Sequence, residues 1–220
     1  MTHIVAIDGP AGAGKSTVAR KVAVTLGFAF VDTGAIYRTV ALAAIRAGIS
    51  LDEETELATM LADLSMRFET RTEGNRVFLS DEDVTDFIRT REVSTAASQV
   101  SKHPAVRRGL LDVQRNLAAQ GDGSVLEGRD IGTVVFPQAK TKIFLDASEY
   151  ERATRRAHEL RERGEEVNFE DLLSEIRERD ERDRSRDVAP LRPADDAKIV
   201  DTTGLSIDDV VREIVGLARS

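Results

Sequence analysis

The nine residues GPAGAGKST, from Gly9 to Thr17, match the pattern G-x-x-x-x-G-K-[ST] and stand between two predicted elements. The apolar run HIVAID at 3–8 predicts a strand, and the pattern that follows the motif predicts a helix over 15–26. Glycines allow backbone N–H groups to turn inward around phosphate oxygens, and a helix N-terminus adds a favourable dipole. The stretch therefore predicts a loop that binds the phosphates of ATP or GTP.

Two side chains in this stretch predict part of its chemistry. The ammonium group of Lys15 would neutralise the β and γ phosphates, and the Ser16 hydroxyl would be a ligand of Mg²⁺. The loop does not identify the group that receives the phosphate, because kinases, hydrolysing switches and motor ATPases all use such loops.

Strand-like runs and helical patterns alternate through most of the chain, which indicates a parallel sheet with helices on both faces. Strands are predicted at 3–8, 28–31, 124–127, 142–146 and 198–201. Helices are predicted at about 15–26, 35–47, 53–63, 92–101, 104–119, 149–163, 169–185 and 206–218. The predicted fold is therefore a three-layer α/β/α domain with a five-stranded parallel sheet.

Residues 66–80, with the sequence MRFETRTEGNRVFLS, interrupt this alternation. Apolar and polar residues alternate on both sides of Glu73-Gly74-Asn75, a pattern that is typical of a β-hairpin. We therefore expect an antiparallel insert at about 65–90. The insert is either a surface decoration or a flap over a substrate site, and the pattern alone does not distinguish the two.

The length of 220 residues, at 24.1 kDa, allows one substantial core, so we expect a single domain over 1–220. No apolar run approaches the roughly 20 residues that span a bilayer. The sequence starts at once on a predicted strand and shows no pattern of a cleavable signal. We therefore expect a cytoplasmic protein without a membrane partner.

Charge and residue usage argue against several classes of protein. A net charge of -8 argues against binding of nucleic acid through a global positive field. The absence of cysteine excludes disulfides, thiolate catalysis and cysteine-ligated zinc, and the separated residues His3, His103 and His158 argue against a histidine metal cluster. Any anion that the protein binds must therefore be held by local groups.

Two further motifs follow predicted strands, where ligands gather in open α/β sheets. In DTGAIYR, Asp32 and Thr33 either cap the next helix or belong to a site. Arg38 has no acid three or four residues away, which favours a phosphate partner. In EGRDIGT, Arg129 and Asp130 stand side by side between glycines, which favours a binding site over a structural ion pair.

These motifs together resemble the bacterial cytidylate kinase family. The resemblance rests on GPAGAGKST, DTGAIYR, IRTREVSTAASQVSKHPAVR, EGRDIGTVVFP, KIFLDAS and RERDERDRSR, in this order along nearly the whole chain. It implies a P-loop nucleoside monophosphate kinase fold, with an acceptor-binding region at about 33–103 that contains the antiparallel insert and a helical lid at about 150–187. The implied reaction is ATP plus CMP or dCMP giving ADP plus CDP or dCDP, with Mg²⁺.

The resemblance also implies roles for individual residues. The ATP phosphates would be held by Gly9, Pro10, Ala11, Gly12, Ala13, Gly14, Lys15, Ser16 and Thr17. The CMP side would be formed by Asp32, Thr33, Tyr37, Arg38, Ser98, Arg107, Arg129, Asp130, Arg179, Asp183 and Arg186. Catalysis around the transferring phosphoryl group would rest on Lys15, Arg129, Arg179 and Arg186.

Three of these residues, Ser98, Arg107 and Asp130, would face the base. Cytosine offers a donor at N4 and acceptors at N3 and O2, so it suits an acceptor such as Asp130 and a donor such as Arg107. Uracil would place a carbonyl oxygen against the aspartate. An unmatched buried polar group costs roughly 1–3 kcal/mol, which corresponds to about ten- to hundredfold discrimination.

One position departs from the family pattern. Glu127 stands where the family often has an aspartate, on the strand that usually supplies the carboxylate near the metal. A longer carboxylate would reach Mg²⁺ through a water molecule, so the resemblance leaves the role of Glu127 less defined than that of Ser16.

The charged run ERDERDRSRD, residues 178–187, divides by helical phase. At about 100° per residue, Arg179, Asp183 and Arg186 continue the apolar face of Leu172 and Ile176. These three would enter the cleft between donor and acceptor, with the arginines on phosphate oxygens and the aspartate on a ribose hydroxyl. The upstream pair Arg155 and Arg156 would approach the ATP side. A solvated surface is expected for Arg177, Glu178, Asp180, Glu181 and Arg184.

Other functions stay open from the residues alone. One is a kinase of the same architecture that acts on another nucleoside monophosphate or on a hydroxylated metabolite. A second is a regulatory switch that binds ATP or GTP and signals through a partner. A nucleic-acid kinase is disfavoured by the charge of -8 and by an aromatic content of 5%. No heptad seam is visible, so we expect a monomer that acts on small nucleotides.

Overall fold

The computed structural model describes residues 2–69, 75–162 and 164–220. Its strands are β1 (His3–Asp8), β2 (Ala29–Asp32), β3 (Met66–Glu69), β4 (Arg76–Leu79), β5 (Glu82–Asp83), β6 (Gly123–Gly128), β7 (Thr141–Asp146) and β8 (Lys198–Asp201). Its helices are α1 (Lys15–Leu26), α2 (Thr33–Ala47), α3 (Glu54–Ala62), α4 (Arg91–Val100), α5 (Pro104–Ala118), α6 (Glu149–Glu162), α7 (Phe169–Arg184) and α8 (Ile207–Arg219). The predicted strands of the large sheet and the predicted helices are confirmed, with ends that differ by one or two residues.

The large sheet has the order β2-β6-β1-β7-β8, and all of its pairings are parallel. The side chains of β1 show which elements cover each face of the sheet, since successive side chains of a strand point to opposite faces. Val5 and Ile7 pack with α1 and α8 on one face. Ala6 packs on the other face with Ala118 of α5 and with Ile131. The sheet is therefore the middle of three layers, as predicted.

Parallel pairing brings the carboxyl ends of neighbouring strands to one edge of the sheet. Asp8 at the end of β1 is in register with Gly128 at the end of β6. Asp32 at the end of β2 is in register with Glu127. The glycine-rich loop, DTGAIYR and EGRDIGT therefore all begin at this edge.

The insert is a separate antiparallel sheet with the order β3-β4-β5. Two of its strands match the predicted hairpin, while the third, Glu82–Asp83, was not predicted. The predicted turn at Glu73-Gly74 lies outside the described residues. The Asn75 side chain donates to the carbonyl of Phe30, at 2.9 Å, and so joins the insert to the edge strand β2.

Helices α6 and α7 pack against each other around a small core of their own. Its buried members are Ala153, Ala157, Leu160, Leu172, Leu173 and Ile176. Asn168 caps α7, since its side chain accepts from the N–H of Glu170 at 3.1 Å. The boundaries of the predicted lid at about 150–187 and of the acceptor-binding region at about 33–103 stay predictions. Within the described ranges, no helix combines the length and apolar character required to cross a membrane.

We predict that Gly9→Ala destabilises the fold far more than Gly27→Ala. A Cβ on Gly9 would lie 2.0 Å from the carbonyl oxygen of Leu145, so the backbone of β7 would have to move. Overpacking of this kind costs about 3 kcal/mol or more. Gly27 has a φ of +71° but no atom within 4 Å of an added Cβ, so only the left-handed conformation is penalised, at about 1 kcal/mol.

Urea denaturation of both variants measures these losses of unfolding free energy. Equal losses for the two variants would contradict the prediction, since Gly27→Ala also places an alanine at a positive φ but without the clash.

Candidate active site at the carboxyl edge of the sheet

The glycine-rich loop leaves β1 and runs directly into α1. Gly14 precedes the helix in a left-handed conformation, with a φ of +84°, which glycine adopts without steric cost. Lys15 is only 6% exposed, and its Nζ donates to the carbonyl of Pro10 at 2.6 Å. The predicted phosphate-binding lysine thus lies across its own loop. Ser16 and Thr17 are exposed at the start of α1.

Burial shifts the pKa of two opposed groups at this edge toward neutrality. Burial, followed by the charge of Arg129, lowers the pKa of Lys15 to about 7. Burial, followed by the charge of Asp32, raises the pKa of Glu127 to about 7. The protonation of both groups is therefore sensitive to any charged ligand that enters.

Glu127 and Ser16 fit the predicted metal site. The Ser16 hydroxyl lies beside the Glu127 carboxylate, whose buried Oε1 has no hydrogen-bond partner among the described residues. Mg²⁺ prefers such oxygen ligands and is commonly held by one or two carboxylates together with phosphate oxygens. In the described ranges no group of three or more His, Cys, Asp and Glu could hold a metal alone.

Asp8 anchors the segment that carries Arg129 and Asp130. Its carboxylate accepts from the backbone N–H groups of Ile131 and Gly132, both at 2.8 Å. Burial outweighs these bonds and raises the pKa of Asp8 to about 6. Asp8 was not predicted from the sequence, although its position as the polar end of an apolar strand was a usable signal.

Three predicted arginines meet around one aspartate. Arg129 Nε donates to Asp183 at 3.0 Å, and Arg186 Nη2 lies 3.1 Å from the other carboxylate oxygen. The buried Nε of Arg179 has no hydrogen-bond partner in the described part of the chain. Burial, together with the charge of Arg129, lowers the pKa of Arg179 to about 10. Positive charge therefore exceeds negative charge in this cluster, as a site for anions requires.

Arg38 has an acidic partner that helical spacing did not predict. It pairs with Asp32, six residues earlier, with Nη2 at 2.8 Å from Oδ2. The same aspartate caps α2 by accepting from the N–H of Ala35 at 2.9 Å. The N-cap position turns the carboxylate back along the helix, which counting at helical spacing does not reveal. The buried Nε of Arg38 has no partner within the described ranges.

A second cluster contains two of the residues predicted to face a base, Arg107 and Asp130. Arg107 and Asp130 form a buried ion pair, and Arg107 Nη1 also donates to the carbonyl of Ser101 at 3.1 Å. The Arg107 guanidinium lies 5.4 Å from the centre of the Tyr37 ring. Burial raises the pKa of Tyr37 to about 12, so the phenol is neutral. The buried Ser98 hydroxyl has no hydrogen-bond partner among the described residues.

The remaining predicted residues are less central. Thr33 is buried and donates to the carbonyl of Glu127 at 2.6 Å. Arg155 bonds both the hydroxyl and the carbonyl of Thr202, and its Nη1 would be 3.8 Å from a Cβ on Gly14. It therefore lies beside the glycine-rich loop. Arg156 pairs with Glu159 one turn along its own helix, at 2.9 Å.

The division of the charged run by helical phase agrees with the structure except at one residue. The exposed positions include Arg177, Glu178, Glu181 and Arg184, as expected. Asp180 was expected on the same surface and is instead buried, against Arg152 of α6. It lies four residues after Ile176 and continues the buried stripe that begins at Leu173. That spacing was visible in the sequence.

Comparison with known proteins identifies a family. The family model described as cytidylate kinase matches residues 5–220. A cytidylate kinase of Aeromonas hydrophila is 50% identical over 219 residues, which cover 100% of this chain and 95% of that protein. A cytidylate kinase of Pelotomaculum thermopropionicum is 52% identical over 212 residues, which cover 96% and 93%.

A likeness in fold alone is found with a solved structure of an uncharacterised protein from Eubacterium ventriosum. The two share 11% identity with a TM-score of 0.53 over 100% of this chain and 99% of the other. The full-length match to the family model and the two relatives at about half identity carry the assignment, and the glycine-rich loop, the arginine cluster and the Arg107–Asp130 pair lie within the matched range. The chain therefore belongs to the cytidylate kinase family.

Proposed function

We propose that this protein transfers the γ-phosphoryl group of ATP to CMP or dCMP, giving ADP and CDP or dCDP. Membership of the family supports the reaction and its donor. The observation that carries the proposal is that Lys15 of the glycine-rich loop and the arginine cluster around Asp183 lie next to each other. Lys15 of the glycine-rich loop lies close enough to Arg129 and Arg179 for their charges to lower its pKa. A donor phosphate bound at Lys15 and an acceptor phosphate bound at the arginine cluster would therefore be neighbours.

The proposed reaction needs no general base. The acceptor is a phosphate oxygen that is already deprotonated near neutral pH. The protein must instead hold two repelling anions in line and spread the charge of the transferring group. Lys15 would balance the donor phosphates, while Arg129, Arg179 and Arg186 would surround the acceptor phosphate and the group in transit. Arg38 would add a contact to the acceptor through its unpartnered Nε.

Mg²⁺ completes the proposed donor site. The Ser16 hydroxyl would be its protein ligand, and Glu127 would contact it through water, since the carboxylate lies beside that hydroxyl. When bound, Mg²⁺ supplies positive charge to the β and γ phosphate oxygens. Glu127 itself would hold and orient the water molecules around the ion.

The acceptor base would be read by the buried Arg107–Asp130 pair. Asp130 would accept from N4 of cytosine, and Arg107 would donate to N3 or O2. Arg107 is already oriented by Asp130 and by the carbonyl of Ser101. Tyr37 borders the same cluster. Ser98 would face the base, and Asp183 would accept from a ribose hydroxyl.

The lid at about 150–187 and the acceptor-binding region at about 33–103 would close over the two nucleotides. Closure excludes water, which would otherwise receive the phosphoryl group. The separate core of α6 and α7 supports movement of the lid as a unit. We place the enzyme in the cytoplasm as a monomer, with ATP and CMP or dCMP as its partners and no nucleic-acid or membrane partner.

The deciding experiment is a coupled assay of ADP formation with ATP, Mg²⁺ and a panel of acceptors. We expect rapid turnover with CMP and dCMP and much slower turnover with UMP, AMP and shikimate. Turnover with shikimate or AMP in place of CMP would assign the fold to another small-molecule kinase. Absence of acceptor-dependent ADP formation would instead favour a regulatory switch.

We predict that Asp130→Asn narrows the preference for CMP over UMP. The substitution replaces one acceptor oxygen with an amide donor, which can pair with the O4 carbonyl of uracil. The ratio of kcat/KM for CMP to that for UMP should fall by about ten- to hundredfold. Asp112→Asn, an exposed change of the same kind on α5, should leave the ratio within about twofold. Equal losses with CMP and UMP at Asp130 would remove this residue from base recognition.

We predict that ATP, added without Mg²⁺ at pH 8, binds with uptake of protons. With pKa values of about 7, Lys15 is mostly neutral and Glu127 mostly ionised at this pH. Phosphate anions raise the pKa of both groups, so each binds protons when ATP binds, on the order of one proton in total.

Titration calorimetry in buffers of different ionisation enthalpy measures this number. Lys15→Arg should reduce the uptake, because a guanidinium stays protonated throughout. Proton release by the unmodified enzyme would show that the two groups do not face the phosphates.

A further inference from the structure

Arg152, in the first turn of α6, is the largest fully buried side chain among those described and is 1% exposed. Its guanidinium makes contacts in three directions. Nε donates to the carbonyl of Ala147 at 3.0 Å, and Nη1 donates to the carbonyl of Ala11 in the glycine-rich loop, also at 3.0 Å. Nη2 donates to Asp180 of α7 at 2.5 Å. One side chain thus joins the loop, the end of β7 and the second lid helix.

Asp180 is also 1% exposed, and its position on α7 lets the pair control the rotation of that helix about its axis. It lies directly after Arg179 and three residues before Asp183, the aspartate at the centre of the arginine cluster. Successive helix residues are about 100° apart, so fixing Asp180 against α6 also fixes the rotation of α7 about its axis. That rotation directs Arg179 and Asp183 toward Arg129.

The contact with Ala11 has a consequence for the loop. Peptide groups are planar, and no peptide bond in the described residues is cis, so the N–H of Gly12 points opposite to the Ala11 carbonyl. A bond from Arg152 to that carbonyl therefore also orients the next N–H. A Cβ on Gly12 would lie 3.1 Å from Cβ of Arg152, which shows how closely the loop packs on α6. Loop N–H groups are the donors that a phosphate uses.

We propose that Arg152 and Asp180 form a positioning pair that sets the Ala11–Gly12 peptide and the arginine face of α7 at the same time. The inference rests on the proposed phosphoryl transfer and adds a coupling between its donor and acceptor sides. Neither residue would contact the nucleotides. Apolar residues could join two helices with similar stability, since buried ion pairs gain little over well-packed hydrophobic contacts. Three directed bonds, in contrast, fix orientation, which apolar contacts do not.

The test compares Arg152→Lys, Asp180→Asn and the double variant with the unmodified enzyme. Lysine keeps the charge of Arg152 but cannot make its three directed bonds at once. We expect kcat per folded molecule to fall by between about tenfold and a hundredfold in each single variant, because small errors of position carry costs of this size. KM for CMP should change by less than about threefold. The double variant should have a kcat no lower than that of the less active single variant, since both changes disrupt the same set of bonds.

The matched control is the exposed pair of Arg177 and Glu149, which joins the same two helices at 2.9 Å without touching the loop. Arg177→Lys and Glu149→Gln should keep kcat within about twofold. Circular dichroism and thermal unfolding give the folded fraction of each variant. A lower melting temperature with an unchanged kcat per folded molecule would overturn the proposal and leave the pair a purely structural role.

Two further measurements keep the inference separate from the proposed function. CMP-dependent ADP formation by the unmodified enzyme is measured first, because its absence contradicts the function itself. If the substitutions prevent folding, hydrogen exchange of the unmodified enzyme decides. Addition of CMP alone should slow exchange in peptides that cover residues 9–14, since ordering α7 would order the loop through the pair. Unchanged exchange there would overturn the coupling.

Discussion

Burial of several neighbouring cations is the constraint on which the carboxyl edge of this sheet depends. Burial and the charge of Arg129 lower the pKa of both Lys15 and Arg179. Asp183 offsets only part of this charge, although Arg129 and Arg186 hold its pKa below the usual value against the effect of burial. Such an arrangement is unfavourable for an isolated protein and favourable once anions enter. Two nucleotides would supply that negative charge together, which links binding at one cluster to binding at the other.

Helices α6 and α7, next to this cluster, are held by two kinds of contact. Helices α6 and α7 share an apolar core that is distinct from the cores on the two faces of the sheet. The contacts of α7 and of the residues just after it with the acceptor side include polar ones, among them Arg129 with Asp183 and Arg186 with the Ser101 hydroxyl at 3.4 Å. Polar contacts exchange with water at small net cost, whereas an apolar core does not. The internal packing of the helix pair is therefore independent of its polar contacts with the acceptor side.

Periodicity predicted the sheet, its helices and the place of the site, because buried strands and amphipathic helices impose spacings that a sequence shows directly. The third strand of the insert escaped because Glu82–Asp83 is too short to have a period. The pairing of Arg38 with Asp32 escaped because it depends on cap geometry rather than on helical spacing. Asp180 was assigned to the surface because charge was weighed above its place on the buried stripe. Contacts between distant segments, such as that of Asp8 with Ile131, leave no local pattern.

Two neighbouring residues at the end of β1, Asp8 and Gly9, set the relative position of the Arg129–Asp130 segment and the glycine-rich loop. Asp8 binds the N–H groups that directly follow Arg129 and Asp130, while Gly9, its neighbour, begins the phosphate loop. Adjacent Cα atoms are about 3.8 Å apart, so the two anchoring points cannot drift relative to each other. A side chain on Gly9 would strike Leu145, which holds this step against β7. The end of β1 therefore ties the segment that carries Arg129 and Asp130 and the glycine-rich loop to one point of the sheet.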